Sequence, residues 1–217
     1  AAPPCGITVN EVLLAFLNHA ERHYRRPDGT RTREVGEFRQ VIRAVRQVYG
    51  DLPAAEFGPR ALKTVRDGFV AADWCRTLVN RRTNRVRHIF KWAAGEELVP
   101  ATVWQALRAV PGLQAGRTHA PETAPVGPVP DADVERTLPH LTPTVGAMVR
   151  LQRLTGMRPG EVCLIRPADI DRSDAVWVYR PSYHKLAYRG KSRSVPLGPK
   201  AQDLLRQFEP TAPTAYY

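Results

Sequence analysis

Residues 155–162 read Thr155-Gly156-Met157-Arg158-Pro159-Gly160-Glu161-Val162, and this stretch decides how the second half of the chain is interpreted. Two glycines and a proline so close together predict a turn. The apolar spacing over 143–155 predicts a helix that ends at this turn. We expect its inward residues to be Val145, Met148, Val149 and Leu151. A second, short helix is expected from Glu161, so that Arg158 lies between two helices.

Downstream of the turn, two short apolar runs have the composition of strands, at 175–179 and 194–197. Gly198-Pro199 then predicts the start of a helix that ends near Phe208. Together with a capped helix expected at 131–141, this part of the chain is predicted to be α+β, with a basic β-hairpin. Residues 180–200 hold six cations and no acid: Arg180, Lys185, Arg189, Lys191, Arg193 and Lys200.

Upstream of the turn, the chain changes character twice. Residues 114–130 are rich in proline and have no hydrophobic periodicity, which predicts an extended linker. Before the linker, apolar residues recur at helical spacing in four long segments and one short one. Thr8 and Glu11 have the spacing of a capping box at the first of these helices. We therefore predict a helical bundle at 1–113 and a second domain at 131–217.

Positive charge is the main feature of the composition. The 217 residues include 32 Lys and Arg against 21 Asp and Glu, a formal charge of +11. A second cationic window, 76–91, lies on the fourth expected helix and contains six cations and no acid. Such clusters are typical of surfaces that bind nucleic acid, although a solvated face is the alternative. The candidate DNA-binding residues on this helix are Thr77, Asn80, Arg81, Arg82, Arg85, His88 and Lys91.

Other classes of protein are not supported by the sequence. No apolar run is long enough for a membrane span, and no basic-then-apolar leader opens the chain. The three cysteines are far apart and lack CxxC spacing, so we expect reduced thiols, with neither a disulfide framework nor a zinc site. No metal and no other cofactor are expected. The expected location is cytoplasmic and associated with the nucleoid.

Five features follow one another in the second half of the chain: the turn at 155–162, Asp169-Ile170-Asp171, a strand, a lysine on a hairpin and Arg193-Ser194-Val195-Pro196-Leu197-Gly198. Together they resemble the tyrosine recombinases, the phage-integrase family. Every fixed position of that family's Thr-Gly-x-Arg-x-x-Glu turn is matched. The resemblance implies a mainly α chain, with a core-binding, SAM-like helical bundle followed by the first half of an α+β catalytic domain. It also implies DNA recombination and integration, as in mobile elements, with double-stranded DNA and other recombinase protomers as partners and no membrane.

The resemblance also implies roles for individual residues. Arg158 matches the arginine that clamps the scissile phosphate, and a guanidinium fork can contact two phosphate oxygens at once. Glu161, one helical turn on, is expected to brace the turn or orient this arginine. Lys185 matches the hairpin lysine that protonates the departing 5′ oxygen, with Lys191 as the alternative. Phosphate contacts that position the duplex without reading its sequence are expected at Arg189, Lys191 and Arg193.

The resemblance is incomplete at its C-terminal side. The family's His-x-x-Arg box and the nucleophilic tyrosine that follows it are not found after Leu197. We interpret Tyr216 and Tyr217 as a tail. The expectation is therefore a fragment of a longer recombinase, which binds duplex DNA but does not cleave it alone through a 3′-phosphotyrosine. The alternative is a stand-alone, non-catalytic DNA-binding regulator.

Overall fold

The computed structural model describes residues 6–26, 28–182 and 190–217. It divides into two compact units, residues 1–125 and 126–217. The first unit is helical and the second combines helices with a small antiparallel sheet. The predicted fold class, mainly α with an α+β second part, is confirmed.

The first unit contains five α-helices in its described residues, and each matches a segment predicted from apolar spacing. They are α1 (Val9–His23), α2 (Arg33–Tyr49), α3 (Pro59–Ala71), α4 (Arg76–Gly95) and α5 (Ala101–Arg108). The predicted capping box begins α1: the Thr8 hydroxyl accepts the Glu11 N–H, and the Glu11 carboxylate accepts the Thr8 backbone N–H at 2.7 Å. Local hydrogen bonding therefore fixes where the bundle starts.

The core of the first unit forms where the apolar faces of these helices meet. The rings of Phe57 and Phe90 stack with their centroids 4.4 Å apart, and both side chains are fully buried. The end of α2 approaches α1 closely, because the Asn10 N–H donates to the Gly50 carbonyl at 2.9 Å. A Cβ at Gly50 would lie 2.7 Å from the Arg46 carbonyl oxygen, so this position has room only for glycine.

The chain from Leu113 to Glu122, which includes the first part of the predicted linker 114–130, is held against α4. The Asn80 side chain donates to the Leu113 carbonyl at 2.9 Å and accepts the Leu113 N–H at 2.7 Å. Further along, the Arg76 guanidinium forms an ion pair with Glu122. The boundary between the two units lies at 125/126, and residues 121–130 adopt neither helix nor strand.

The second unit is built around a small sheet. Its described elements are α6 (Asp131–Thr137), α7 (Pro143–Thr155), α8 (Pro159–Cys163), β1 (Ile170–Asp171), β2 (Trp177–Tyr179), β3 (Val195–Leu197) and α9 (Pro199–Arg206). The strands pair antiparallel in the order β1-β2-β3, with Tyr179 opposite Val195. The two predicted strands are confirmed, and the two-residue β1 is an addition too short to predict from composition.

Helix α7 packs differently from the prediction at one position. Leu151 is buried against the sheet and α9, but Val145, expected inward, is 43% exposed. Met148 and Leu151 of α7 pack into the core of the second unit, and together with Thr144 they line a small cavity of about 150 Å³. Val145 follows Thr144 directly and is therefore turned about 100° away around the helix.

Candidate nucleic-acid interface

Helix α4 presents one continuous exposed row of polar side chains, which we call the α4 stripe. It consists of Thr77, Arg81, Asn84, His88 and Lys91, spaced three or four residues apart. Residues 76–95 contain no acid, so no residue of the same helix neutralises the stripe. Four of the five residues were candidates from the sequence. Asn84 was missed because it carries no charge, although its place three residues after Arg81 puts it on the same face.

Arg82 does not lie on this exposed face, which corrects the placement expected from the sequence. Its side chain is 6% exposed and forms an ion pair with Glu37 of α2. A second hydrogen bond joins its guanidinium to the Gln40 side-chain oxygen at 2.6 Å. The physical reason is helical geometry, because Arg82 is rotated about 100° from Arg81 and so points toward α2.

Asn80 is also used within the unit. Its amide makes both hydrogen bonds to the Leu113 backbone, and the residue is only partly exposed. A side chain that satisfies a backbone N–H and a backbone C=O at once has a clear structural role. In this structure, Asn80 therefore holds the segment after α5 against α4.

Beside the stripe lies an open cavity of about 320 Å³, formed by α4, the start of α2 and the end of α1. Arg85 donates from its guanidinium to the Glu34 carboxylate at 2.6 Å. The same guanidinium lies 4.8 Å from the centre of the Phe38 ring. The Tyr24 hydroxyl and His88 Nε2 are 3.1 Å apart. Burial lowers the pKa of His88, and the positive charges of Lys91 and Arg85 lower it further.

The second unit brings two arginines together on one buried carboxylate. Glu161, in the first turn of α8, is 3% exposed. It accepts the Arg158 backbone N–H at 2.9 Å and a guanidinium N–H of the same residue at 2.7 Å. Its second oxygen also accepts from the Arg193 guanidinium at 3.3 Å. Arg158, predicted as the phosphate clamp, and Arg193, predicted as a phosphate contact, therefore lie side by side.

Glu161 is held as a carboxylate. Burial by itself would raise the pKa of Glu161, but the hydrogen bonds from Arg158 and Arg193 and the charge of Arg193 lower it overall. The Tyr179 hydroxyl of β2 donates to the Glu161 carbonyl at 3.1 Å and so ties α8 to the sheet. Half of the Arg158 side chain remains exposed, at 49%. Glu161 therefore anchors both guanidinium groups by hydrogen bonds, while the exposed part of Arg158 is accessible to an anion from solvent.

The remaining candidates in the predicted hairpin region are Lys185, Arg189 and Lys191. Lys185 and Arg189 lie outside the described residues. Lys191 is exposed, one residue after Gly190, whose φ of +67° is in the left-handed region. The Arg193 Nε is buried, with no hydrogen-bond partner among the described residues.

Across 6–26, 28–182 and 190–217, no group of three or more His, Cys, Asp or Glu side chains has a geometry that could hold a metal ion. Within the same ranges, none of the helices combines the length and apolar character that a membrane crossing requires.

The fold is similar to those of solved integrases. One is the Tn1549 transposon integrase in complex with circular intermediate DNA, with a TM-score of 0.65 and 16% identity over 93% of this chain and 64% of that chain. A lambda integrase dimer bound to a COC′ core site matches with a TM-score of 0.64 and 14% identity, over 93% and 66% of the two chains. A lambda integrase tetramer bound to a Holliday junction gives 0.65 and 13%, over 94% and 55%.

These similarities establish the fold. No family model matches the sequence, and no curated protein sequence matches it either. The chain spans 64% of the length of the Tn1549 integrase structure.

Proposed function

We propose that this chain is part of a tyrosine recombinase and that its 217 residues bind duplex DNA in the course of recombination or integration. The observation that carries the proposal is the α4 stripe, an exposed row without an acid on one helix. Cations in such a row neutralise backbone phosphates and release the counterions condensed on the duplex. The similarity in fold to integrases solved with DNA supports the same assignment.

The test is duplex binding as a function of salt, measured by fluorescence anisotropy. The stripe variant Arg81→Ala/Lys91→Ala removes two exposed cations of α4. Each phosphate contact contributes about 0.9 to the slope of log affinity against log salt, so the slope should become shallower by about 1.8.

The matched control is Arg43→Ala/Arg46→Ala, which removes the same charge from exposed positions on α2. We expect the control to leave the slope unchanged. A wild-type chain that shows no salt-dependent affinity for duplex would refute the proposal, and equal slopes for the two variants would refute the role of the stripe.

We propose further that Arg158 and Arg193 bind the phosphate that the complete protein attacks. Support comes from their shared carboxylate, Glu161, which holds two guanidinium groups together while Arg158 keeps half of its surface exposed. Two guanidinium groups can neutralise the charge that develops on a pentacovalent phosphorus. The role of Lys185 as the acid rests on the family resemblance alone.

The Arg158 proposal is tested in the same assay. Arg158→Ala should reduce the salt slope by about 0.9. The control is Arg150→Ala, an exposed cation of α7, which should leave the slope unchanged. Equal slopes for both variants would contradict a phosphate contact at Arg158.

The proposal assigns binding, without strand cleavage, to these 217 residues. Two tyrosines of the second unit are unsuited to nucleophilic attack. Tyr179 is fully buried, and burial raises its pKa to about 12. Burial also raises the pKa of Tyr217 to about 12, and its hydroxyl donates to Glu209 at 3.0 Å. A nicked suicide duplex should give no covalent adduct on a denaturing gel, and an adduct would contradict this assignment.

A further inference from the structure

We propose that the cavity beside α4 is a seat for one DNA backbone phosphate, and that Glu34 is a built-in competitor that occupies this seat in the free protein. The inference rests on the proposed function, because it requires that the α4 stripe faces a duplex. It adds that Glu34 lowers the affinity for duplex DNA, and that the contact between Glu34 and Arg85 must break when DNA binds. The seat is lined by Tyr24, Glu34, Arg81, Asn84, Arg85 and His88.

The chemistry of the lining suits a phosphodiester. Arg81 and Arg85 supply guanidinium donors, Asn84 supplies an amide, and Tyr24 supplies a hydroxyl. Arginine is the side chain best matched to two phosphate oxygens, because its donors form a planar fork. Among the described residues that line the seat, Glu34 is the only acid, and its carboxylate already accepts a hydrogen bond from Arg85 at 2.6 Å. In the free protein, the Glu34 carboxylate therefore already occupies the place of an anion in the seat.

Arg85 needs an anion because its charge is largely shielded from water. Its side chain is 14% exposed and lies against the Phe38 ring. A guanidinium in such a position loses hydration and gains from a close negative partner. Its Nε is buried and makes no hydrogen bond within the described part of the chain. Glu37 comes within 3.9 Å of Arg85, but it forms its closer ion pair with Arg82.

Glu34, in contrast, can leave without cost to the core. Its side chain is 48% exposed, and it stands in the first turn of α2 at the rim of the cavity. The hydrogen bond from Arg85 and the positive charges of Arg85 and Arg81 lower the pKa of Glu34, so it is a carboxylate near neutral pH. A phosphate entering the seat takes over Arg85 and meets this negative charge. Glu34 must then turn out into water, where its ion pair is replaced by hydration.

The test compares two variants that each remove one negative charge. Glu34→Gln removes the competitor, and Glu56→Gln removes an exposed acid elsewhere in the first unit. Glu34 is the exposed partner of the Glu34–Arg85 ion pair, at 48%, so we take the pair to contribute about 1 kcal/mol, equivalent to a fivefold change in affinity. We expect Glu34→Gln to bind duplex about fivefold more tightly than Glu56→Gln at the same salt concentration. Circular dichroism checks that both variants keep their helices.

Coupling to Arg85 is the second arm of the test. In an Arg85→Gln background, Glu34→Gln should have no larger effect than Glu56→Gln, because the cation for which Glu34 competes is gone. Equal affinities of the two single variants would overturn the inference while leaving the proposed function intact. A Glu34→Gln effect that persists without Arg85 would also overturn it.

The third arm separates a duplex phosphate from a free anion. Inorganic phosphate is added at constant ionic strength, and its ability to displace the duplex is measured for each variant. If Glu34→Gln strengthens this displacement but not duplex binding, the seat takes a free anion and the assignment to DNA is overturned. A wild-type protein with no affinity for duplex would refute the proposed function and this inference with it.

Discussion

Replacing Glu161 by glutamine removes the negative charge on which Arg158 and Arg193 meet. The glutamine keeps the shape of the side chain and one acceptor oxygen. In wild type both carboxylate oxygens accept hydrogen bonds, so the NH₂ group of the glutamine would face an N–H donor in place of one acceptor. Loss of a charge-assisted hydrogen bond costs about 1.5–3 kcal/mol. Part of this is screened, because Arg158 and Arg193 are 49% and 33% exposed. We therefore expect a loss of about 2 kcal/mol in the free energy of unfolding of the second unit.

Hydrogen exchange measured by mass spectrometry reports this unit separately from the first one. A loss of about 2 kcal/mol corresponds to exchange about 30-fold faster at the amides of β3. The control is Glu135→Gln, an acid of the same unit that is 65% exposed and pairs with Arg153. That variant should change the free energy of unfolding by less than about 0.5 kcal/mol. Equal exchange rates in β3 for Glu161→Gln and Glu135→Gln would refute the reasoning.

The effect of Glu161 also depends on pH, with a defined sign. The folded-state pKa of Glu161 lies below its ordinary value of 4.5. Its stabilising contribution is therefore complete above about pH 4.5 and is lost as the pH falls through the folded-state pKa. Wild type and Glu161→Gln should converge in acid, and a difference that stays constant from neutral pH into acid would contradict the charge-based explanation.

Three further predictions concern single side chains. Asn80→Ala should lower the free energy of unfolding of the first unit by about 1–3 kcal/mol, because it leaves the Leu113 N–H and C=O without partners. Limited proteolysis should then cut the segment after α5 faster than in wild type. An unchanged cleavage rate would contradict the role of Asn80. Gly50→Ala should destabilise the first unit by about 1–3 kcal/mol in thermal unfolding, because the new Cβ would lie 2.7 Å from the Arg46 carbonyl oxygen. Gly36→Ala, also in the α2 region, has open space and should stabilise the unit by about 0.5–1 kcal/mol. A change of the same sign in both variants would contradict the packing at Gly50. Tyr179→Phe should lower the free energy of unfolding by about 1 kcal/mol at neutral pH, because the hydrogen bond to the Glu161 carbonyl is lost. The pKa of Tyr179 is raised to about 12 in the folded protein, so wild-type stability in urea titrations should fall from pH 10 to pH 12 more steeply than that of the variant. Parallel pH profiles would show that Tyr179 does not titrate as expected.

Features that depend on neighbours along the chain could be predicted from the sequence. The exposed row of α4 follows from helical spacing and from the absence of acids, and the sequence indicates four of its five residues. The link between Arg158 and Glu161 follows from a spacing of three residues across a helix start. Both inferences need only the geometry of a single helix.

Features that depend on contacts between residues far apart in the chain could not be predicted from the sequence. Arg82 and Arg85 have the same chemistry in the sequence, and only the packing of α2 decides that one is buried on Glu37 while the other pairs with Glu34. The arrival of Arg193 at Glu161 depends on the register of β2 with β3, across 32 residues of chain. Asn80 could not be separated from a surface asparagine, because its partner Leu113 lies 33 residues away.

Photo-crosslinking at Asn84 tests the central claim most directly. Asn84 lies in the middle of the α4 stripe, so a photoreactive benzophenone side chain at this position is expected to crosslink to a bound duplex. The same group at Val48, which is 55% exposed on α2 and lines a different cavity, should give no crosslink. A salt-sensitive crosslink at 84 and none at 48 is the predicted result. No crosslink at 84, or equal yields at both positions, would contradict the claim that α4 faces DNA.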